Sequence, residues 1–170
     1  GYLMLAMKVL GVPMGLIGSA FSQVYLANAN QYLESQKLYF YTKSIIFKIF
    51  KLTIIPFFFF FIISPFAFGY VFGEKWEDVG LYILAMLPWY FMQILSSPVS
   101  MSLHVIGKQK IALYLQVIGF TFRVIILFLI LVNYESLGLV WYFFSGFIFY
   151  IIYLLVVLLL VKNNINYVKG

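Results

Sequence analysis

The chain has 170 residues, of which 65% are hydrophobic and 9% are charged. Soluble globular domains carry about 25% charged residues, so this composition excludes an ordinary soluble domain. The net charge of +6 does not require a nucleic-acid partner, because basic residues at the cytoplasmic ends of membrane spans face anionic lipid. The absence of cysteine excludes a disulfide framework and a thiolate metal site.

Five long apolar stretches predict an all-α, polytopic membrane protein. Each stretch has at least the roughly 20 residues that a helix needs to cross the hydrocarbon core of a bilayer. The connections between them are too short to hold a soluble active-site domain. We therefore interpret residues 1–170 as a single transmembrane domain, whose predicted spans are 3–27, 52–72, 79–106, 111–132 and 137–161.

The charges beside these spans alternate between the two sides of the membrane. One side carries the eight lysines Lys37, Lys43, Lys48, Lys51, Lys108, Lys110, Lys162 and Lys169. The other side carries Lys75 and the acidic residues Glu74, Glu77, Asp78 and Glu135. Because Lys and Arg near span ends set the orientation, the basic side, including the C-terminus, is predicted to face the cytoplasm.

This orientation has a consequence for the N-terminus. With five spans and a cytoplasmic C-terminus, Gly1 is predicted to lie outside the cell. The chain opens without an initiator methionine, a signal peptide or an upstream span. We therefore expect it to be the C-terminal part of a longer protein.

Residues 34–51 predict an amphipathic helix that lies in the headgroup region before the second span. At 100° per residue, one stripe is basic and another is apolar, as in helices at a membrane interface. The alternative is that this segment extends the second span into the cytosol. The basic stripe holds Lys37, Lys48 and Lys51, and the apolar one holds Leu38, Tyr41, Ile45 and Ile49.

Small residues and prolines mark the first three spans. Gly11, Gly15 and Ser19 form one ridge of the first span, and Gly18 and Ser22 form a second. Such ridges either line a lumen or let helices pack closely.

Prolines inside spans predict bent or discontinuous helices around a binding cavity, or static kinks that only aid packing. The prolines are Pro13, Pro56, Pro65, Pro88 and Pro98.

Arg123 is the strongest candidate for a functional residue, because it lies near the centre of the fourth span. Insertion of such a charge costs about 3 kcal/mol, so it is expected to face a bundle interior or a water-filled cavity. Gln116 shares its helix face, and Gln93 is central in the third span. A structural Arg123, bonded to carbonyls or to a buried acid elsewhere in the missing half of the protein, is the alternative.

Lys8 completes the predicted substrate-binding set of Arg123, Gln116, Gln93 and Lys8. It lies about one and a half turns inside the first span, where a lysine can also snorkel to the surface.

No catalytic motif accompanies these residues. Gly107-Lys108 lacks the earlier glycine of a phosphate-binding loop, and His104, the only histidine, has no carboxylate within helical reach. We predict no catalytic residue, no metal site and no cofactor, and we do not expect an enzyme.

One string of residues is similar to a known family. It comprises Phe72–Gly80, Leu87-Pro88-Trp89, Gln93, Ser96-Ser97-Pro98 and Gly107–Lys110. This string resembles the C-terminal half of polysaccharide-export and O-antigen flippases, whose superfamily also contains lipid II flippases and multidrug exporters. The opening residues, with Pro13 and Ile17–Ala20, resemble the second helix of a six-helix half. The resemblance implies a protein of about twelve spans in two six-helix halves, of which this chain would supply the last five.

The resemblance also implies a function. The family moves polyprenyl-pyrophosphate-linked oligosaccharides across the bacterial or archaeal cytoplasmic membrane by alternating access, and binds the anionic headgroup in a cationic lumen. Arg123 and Lys8 are the candidates for that role here. The implied partners are the lipid-linked oligosaccharide, membrane lipids and the N-terminal half of the same protein.

Three other functions remain open. A cation-coupled multidrug exporter has the same architecture, but the acidic residue that many of these carry inside a span is missing from this chain. A non-transporting membrane subunit would have no use for a central arginine. A membrane-embedded glycosyl- or acyltransferase would need an acid or a histidine near a membrane face, and only Glu135, His104 and the 74–78 cluster are available.

Overall fold

A computed structural model of the chain describes residues 1–34, 36–133 and 138–167. The predicted first residue of the fifth span, Leu137, together with Glu135 and Lys169, lies outside the described residues. Within those ranges, five helices are long and apolar enough to cross a membrane, which confirms the all-α, polytopic prediction. They are α1 (Tyr2–Glu34), α2 (Leu38–Phe72), α3 (Glu77–Val105), α4 (Gln109–Asn133) and α5 (Gly138–Tyr167), with a 3₁₀ turn at Glu74–Trp76.

Helix α3 is the centre of the bundle. It packs against α1, α2 and α5, whereas α4 packs mainly on α5. In the most apolar stretch of α3, 50% of the residues are buried. In that of α4, only 6% are buried. Side chains that point inward from α3 therefore meet three other helices, and most of the α4 surface is left uncovered by the rest of the described chain.

Most of residues 34–51 are continuous with the second span, as in the alternative stated above, and do not form a separate helix. Glu34 ends α1, and the segment from Leu38 onward belongs to one uninterrupted helix that ends at Phe72. The physical reason is a single buried stripe at helical spacing that crosses the predicted boundary, formed by Leu38, Thr42, Ile45, Ile49, Thr53 and Phe57. With 35 residues, α2 is about 52 Å long and exceeds the roughly 30 Å hydrocarbon core, so the hairpin of α1 and α2 extends beyond it.

The five prolines do not divide the helices that contain them. Pro13 lies inside α1, Pro56 and Pro65 inside α2, and Pro88 and Pro98 inside α3, and each helix continues past them. Of the predicted bent or discontinuous helices, the described residues therefore exclude only discontinuous ones. A break in a span would leave backbone groups unpaired in lipid, so a continuous helix that loses a single hydrogen bond at the proline is less costly.

Close packing explains Gly18 and Ser22, two of the five small residues on the first span. Gly18 and Ser22 are buried against α3, where the Ser22 and Ser97 hydroxyl oxygens are 3.5 Å apart. The backbones of α2 and α3 approach so closely at Gly80 that an added Cβ would overlap the Ser64 carbonyl oxygen. Gly15 is exposed, with nothing within 4 Å of an added Cβ.

Helix α3 ends at a glycine that permits a sharp turn into α4. Gly107 has a φ of 70°, a left-handed conformation that favours glycine. The Lys108 amide then donates a 2.7 Å hydrogen bond to the Leu103 carbonyl. This turn reverses the chain and sets α4 antiparallel to α3.

Candidate functional site

The guanidinium of Arg123 is held by aromatic side chains from two other helices. Its Cζ lies 4.1 Å from the centroid of the Trp89 ring on α3 and 5.3 Å from that of Tyr142 on α5. Nη2 donates a 3.2 Å hydrogen bond to the Tyr142 hydroxyl. No carboxylate pairs with Arg123 among residues 1–34, 36–133 and 138–167, where cation–π contacts hold the guanidinium.

Trp89 is a rigid platform for this charge. Its side chain is only 6% exposed, and Phe143 stacks on it at a centroid distance of 6.1 Å. Gly146 lets α5 approach the indole, since an added Cβ there would lie 3.0 Å from ring atoms. The orientation of the ring that faces Arg123 is therefore fixed by packing, and the guanidinium has a defined position.

A cavity of about 410 Å³ opens beside Arg123, between α4 and α5. Gln116 lies seven residues before Arg123 and lines the same cavity, as its helical spacing predicts. Gly119, between them, leaves room for Phe149, because an added Cβ would overlap the phenyl ring. The full lining is Gln116, Gly119, Phe120, Arg123, Val124, Leu127, Tyr142, Phe149 and Tyr150.

Two further cavities continue from this one towards α1. One, of about 180 Å³, shares Gln116, Phe149 and Tyr150 with the first, and another, of about 240 Å³, shares Gln93 and Ser97 with the second. We call this series the polar track. The second cavity is lined by Gln93, Ser96, Ser97, Ser100, Gln116, Phe149, Tyr150 and Tyr153, and the third by Gly11, Met14, Gly15, Gly18, Tyr90, Gln93, Ile94 and Ser97.

Several polar atoms at the track are buried without a hydrogen-bond partner among the described residues. They are Arg123 Nε, Trp89 Nε1 and the Tyr153 hydroxyl oxygen. A buried donor left unpaired costs about 1–3 kcal/mol, so such groups normally bind a ligand or an ordered water. Of these three residues, Arg123 and Tyr153 line cavities of the track, and Trp89 lines none of them.

The structure brings together three of the four predicted substrate-binding residues. Arg123, Gln116 and Gln93 line the polar track, which extends over four helices. Lys8 is exposed on α1 and lines none of the three cavities. His104 is exposed in the last turn of α3 and is also absent from these linings.

The aromatic partners of Arg123 were missed by the sequence reasoning. Tyr142, Phe149, Tyr150 and Tyr153 share one face of α5 at spacings of seven, eight and eleven residues. This stripe of aromatic residues, three of them with hydroxyls, was a readable signal that α5 contributes to a partly polar site. Trp89 was singled out only by the resemblance, within Leu87-Pro88-Trp89, and its contact with Arg123 was not predicted because it depends on the meeting of three helices.

Outside the polar track, no group of three or more potential metal-binding side chains occurs in the described part of the chain. Comparisons of this chain with protein-family models, with curated proteins and with solved structures found no match. The functional interpretation therefore rests on the arrangement of the residues themselves.

Proposed function

We propose that this chain is the C-terminal part of a flippase that moves polyprenyl-pyrophosphate-linked oligosaccharides across the cytoplasmic membrane by alternating access. The whole transporter would have twelve spans in two six-helix halves, with these five helices forming most of the second half. The observation that carries the proposal is the position of Arg123, held between Trp89 and Tyr142 beside a cavity of about 410 Å³.

The pyrophosphate of such a substrate is suited to Arg123. Its concentrated negative charge cannot cross hydrocarbon without compensation, and a guanidinium offers several donors in a planar arrangement that fits phosphate oxygens. Trp89 and Tyr142 contact the guanidinium through ring faces and one hydrogen bond, and Nε has no partner among the described residues. Arg123 is thus positioned by neighbours that include no counter-ion among the described residues.

The rest of the polar track suits the oligosaccharide. Amides and hydroxyls that both donate and accept hydrogen bonds match sugar hydroxyls, and aromatic faces can pack against sugar rings. The track offers Gln93, Gln116 and three serines together with Tyr150 and Tyr153. Its lining contains no carboxylate and no histidine. In this proposal the protein binds and releases its substrate without breaking a bond, and no residue is assigned a catalytic role.

The proposal also includes an orientation. The lysine-rich ends of the helices face the cytoplasm, and the acidic turn at Glu74–Asp78 faces outward, because positive charge is retained on the cytoplasmic side. The C-terminus is then cytoplasmic, and the substrate enters the polar track from the lysine-rich side.

Deletion of the gene in its host tests the substrate class. We expect loss of surface polysaccharide and accumulation of lipid-linked oligosaccharide on the cytoplasmic leaflet, both restored by the wild-type gene, with drug susceptibility unchanged. Normal polysaccharide with increased susceptibility to cationic drugs would support a multidrug exporter instead. If neither property changed, the transport proposal would be rejected in favour of a non-transporting subunit.

A further inference from the structure

The charge of the polar track is confined to one of its three cavities. Among the described residues, Arg123 is the only charged residue in the three linings, and it lines the first cavity but not the second or the third. The second cavity adjoins the first, since Gln116, Phe149 and Tyr150 line both. An uncharged compartment therefore lies directly beside the cationic one.

The second cavity has one aromatic wall and one polar wall. On α5, the rings of Phe149, Tyr150 and Tyr153 form a cluster, with centroid distances of 5.3, 6.0 and 6.4 Å. A sugar ring combines an apolar face with a rim of hydroxyls, so the two walls offer partners for both. The polar wall, on α3, consists of one amide and three hydroxyls, those of Gln93, Ser96, Ser97 and Ser100.

The hydrogen-bonding groups of these walls suit a neutral ligand. The Tyr153 hydroxyl oxygen is buried and has no hydrogen-bond partner among the described residues. The Ser96 and Ser100 hydroxyls donate to backbone carbonyls at 2.7 and 2.6 Å, which leaves their oxygens able to accept. Ligand hydroxyls can both donate to and accept from such groups, whereas an ion buried among them would lack a counter-charge at a much higher cost.

The size of the second cavity limits how much of a saccharide it can hold. Its volume is about 180 Å³. Pockets that bind drug-sized molecules have volumes of roughly 300–1,000 Å³. The second cavity therefore suits a single sugar ring and not a whole oligosaccharide.

We propose that the second cavity binds the sugar attached to the pyrophosphate and selects a neutral hexose over a uronic acid. This inference rests on the proposed function, because it places the pyrophosphate at Arg123 in the adjoining cavity. The sugar packs on the aromatic wall and exchanges hydrogen bonds with Gln93, Ser100 and Tyr153. A carboxylate in the same position would be desolvated without a cation beside it, and would also be repelled by the negative pyrophosphate.

Binding of three synthetic lipids to the purified full-length protein in nanodiscs tests the proposal. The lipids are undecaprenyl pyrophosphate alone, the same lipid linked to glucose, and the same lipid linked to glucuronic acid. The two sugars differ only at C6, where glucuronic acid carries the carboxylate. We expect the glucose lipid to bind about tenfold more tightly than the glucuronic acid lipid, or more, which corresponds to about 1.4 kcal/mol.

Ser100→Lys places a cation in the second cavity and should reduce or reverse this preference. His104→Lys is the matched control, because it adds a charge one turn later on α3, at an exposed position outside all three linings. It should leave the preference unchanged. Tyr153→Phe removes one hydroxyl and should weaken binding of the glucose lipid about fivefold, without affecting undecaprenyl pyrophosphate alone.

The lipid without a sugar separates failure of this proposal from failure of the proposed function. If it binds to the wild type and loses affinity in Arg123→Ala, the proposed function is supported. Equal binding of the two glycolipids by the wild type, or an equal change of their ratio in Ser100→Lys and His104→Lys, would then overturn the sugar selectivity alone. If the lipid without a sugar did not bind, or bound equally to Arg123→Ala, the proposed function would be rejected and this proposal with it.

Discussion

The guanidinium of Arg123 lies 4.1 Å from the centroid of the Trp89 ring, so a charge on α4 is held by an aromatic side chain of α3. This contact joins two helices that otherwise pack little against one another. Tyr142 adds α5 through its hydrogen bond to Nη2. These contacts with Trp89 and Tyr142 hold an arginine near the centre of a span although no acidic side chain pairs with it in the described ranges. The position of the charge therefore depends on Trp89.

A double-mutant cycle tests this dependence. Trp89→Leu and Arg123→Met should each lower the free energy of unfolding in detergent, and the two effects should be less than additive by about 1 kcal/mol, the value of a partly buried cation–π contact. Trp89→Phe should retain part of the coupling, because it retains a ring face. Full additivity would show that the contact contributes nothing.

The hydrogen bond between Tyr25 and Thr42 offers a test of how α1 and α2 are joined. The two hydroxyl oxygens are 2.8 Å apart and buried, and Thr42 also bonds to the carbonyl one turn earlier in its own helix. Thr42→Val should lower the free energy of unfolding by about 1 kcal/mol.

Thr53→Val is the matched control for that change. Thr53 is equally buried on α2 and bonds only to the carbonyl of Ile49 in its own helix. The loss at Thr42 should exceed the loss at Thr53 in the same thermal or chemical unfolding assay. Equal losses would mean that the contact with Tyr25 is not stabilising.

Two glycine substitutions should have opposite effects, because Gly80 lies where α2 and α3 approach closely and Gly15 on α1 faces open space. Gly80→Ala should lower the free energy of unfolding by roughly 2 kcal/mol, because the new methyl group overlaps the Ser64 carbonyl and the helices must separate. Gly15→Ala should be neutral or stabilising by up to about 1 kcal/mol, because it adds helix propensity in open space. A neutral Gly80→Ala would contradict the observed packing.

The sequence predicted the number of membrane helices well, because length and hydropathy alone determine whether a helix can cross a bilayer. It did not predict where α1 ends and where α2 begins. Residues from Asn28 to Lys51 are polar enough to leave the membrane, yet their helices continue, because polar residues are compatible with a helix. The part of the α2 stripe from Leu38 to Ile49 could be read from the sequence, and its continuation through Thr53 to Phe57 could not.

The depth of Arg123 and its alignment with Gln116 could be read from the sequence, because both follow from helical geometry. Its partners could not. Aromatic residues make up 22% of the chain, so composition and helical spacing do not distinguish Trp89 from the many rings that face outward. The exclusion of Lys8 from the polar track likewise depends on the rotation of α1 about its axis, which is set by the packing of Gly18 and Ser22 on α3.

Single-cysteine labelling checks the proposed orientation, and the natural absence of cysteine makes it clean. Glu77→Cys at the start of α3 should react with a membrane-impermeant reagent in intact cells. Gln109→Cys at the start of α4 should react only after the cells are permeabilised. The converse pattern would reverse the orientation, and labelling of both in intact cells would show that the two ends of α3 do not lie on opposite sides.

The central claim is that Arg123 binds the substrate's pyrophosphate, and the most direct measurement is export of lipid-linked oligosaccharide by variants of the chromosomal gene. Arg123→Ala should abolish export at normal abundance in the membrane, because removing a charge from a span makes insertion easier. Arg123→Lys should retain partial export, since it keeps the charge and loses the planar arrangement of donors. Lys8→Ala, which removes an exposed charge outside the polar track, should leave export close to wild type. Normal export by an abundant Arg123→Ala protein would contradict the account.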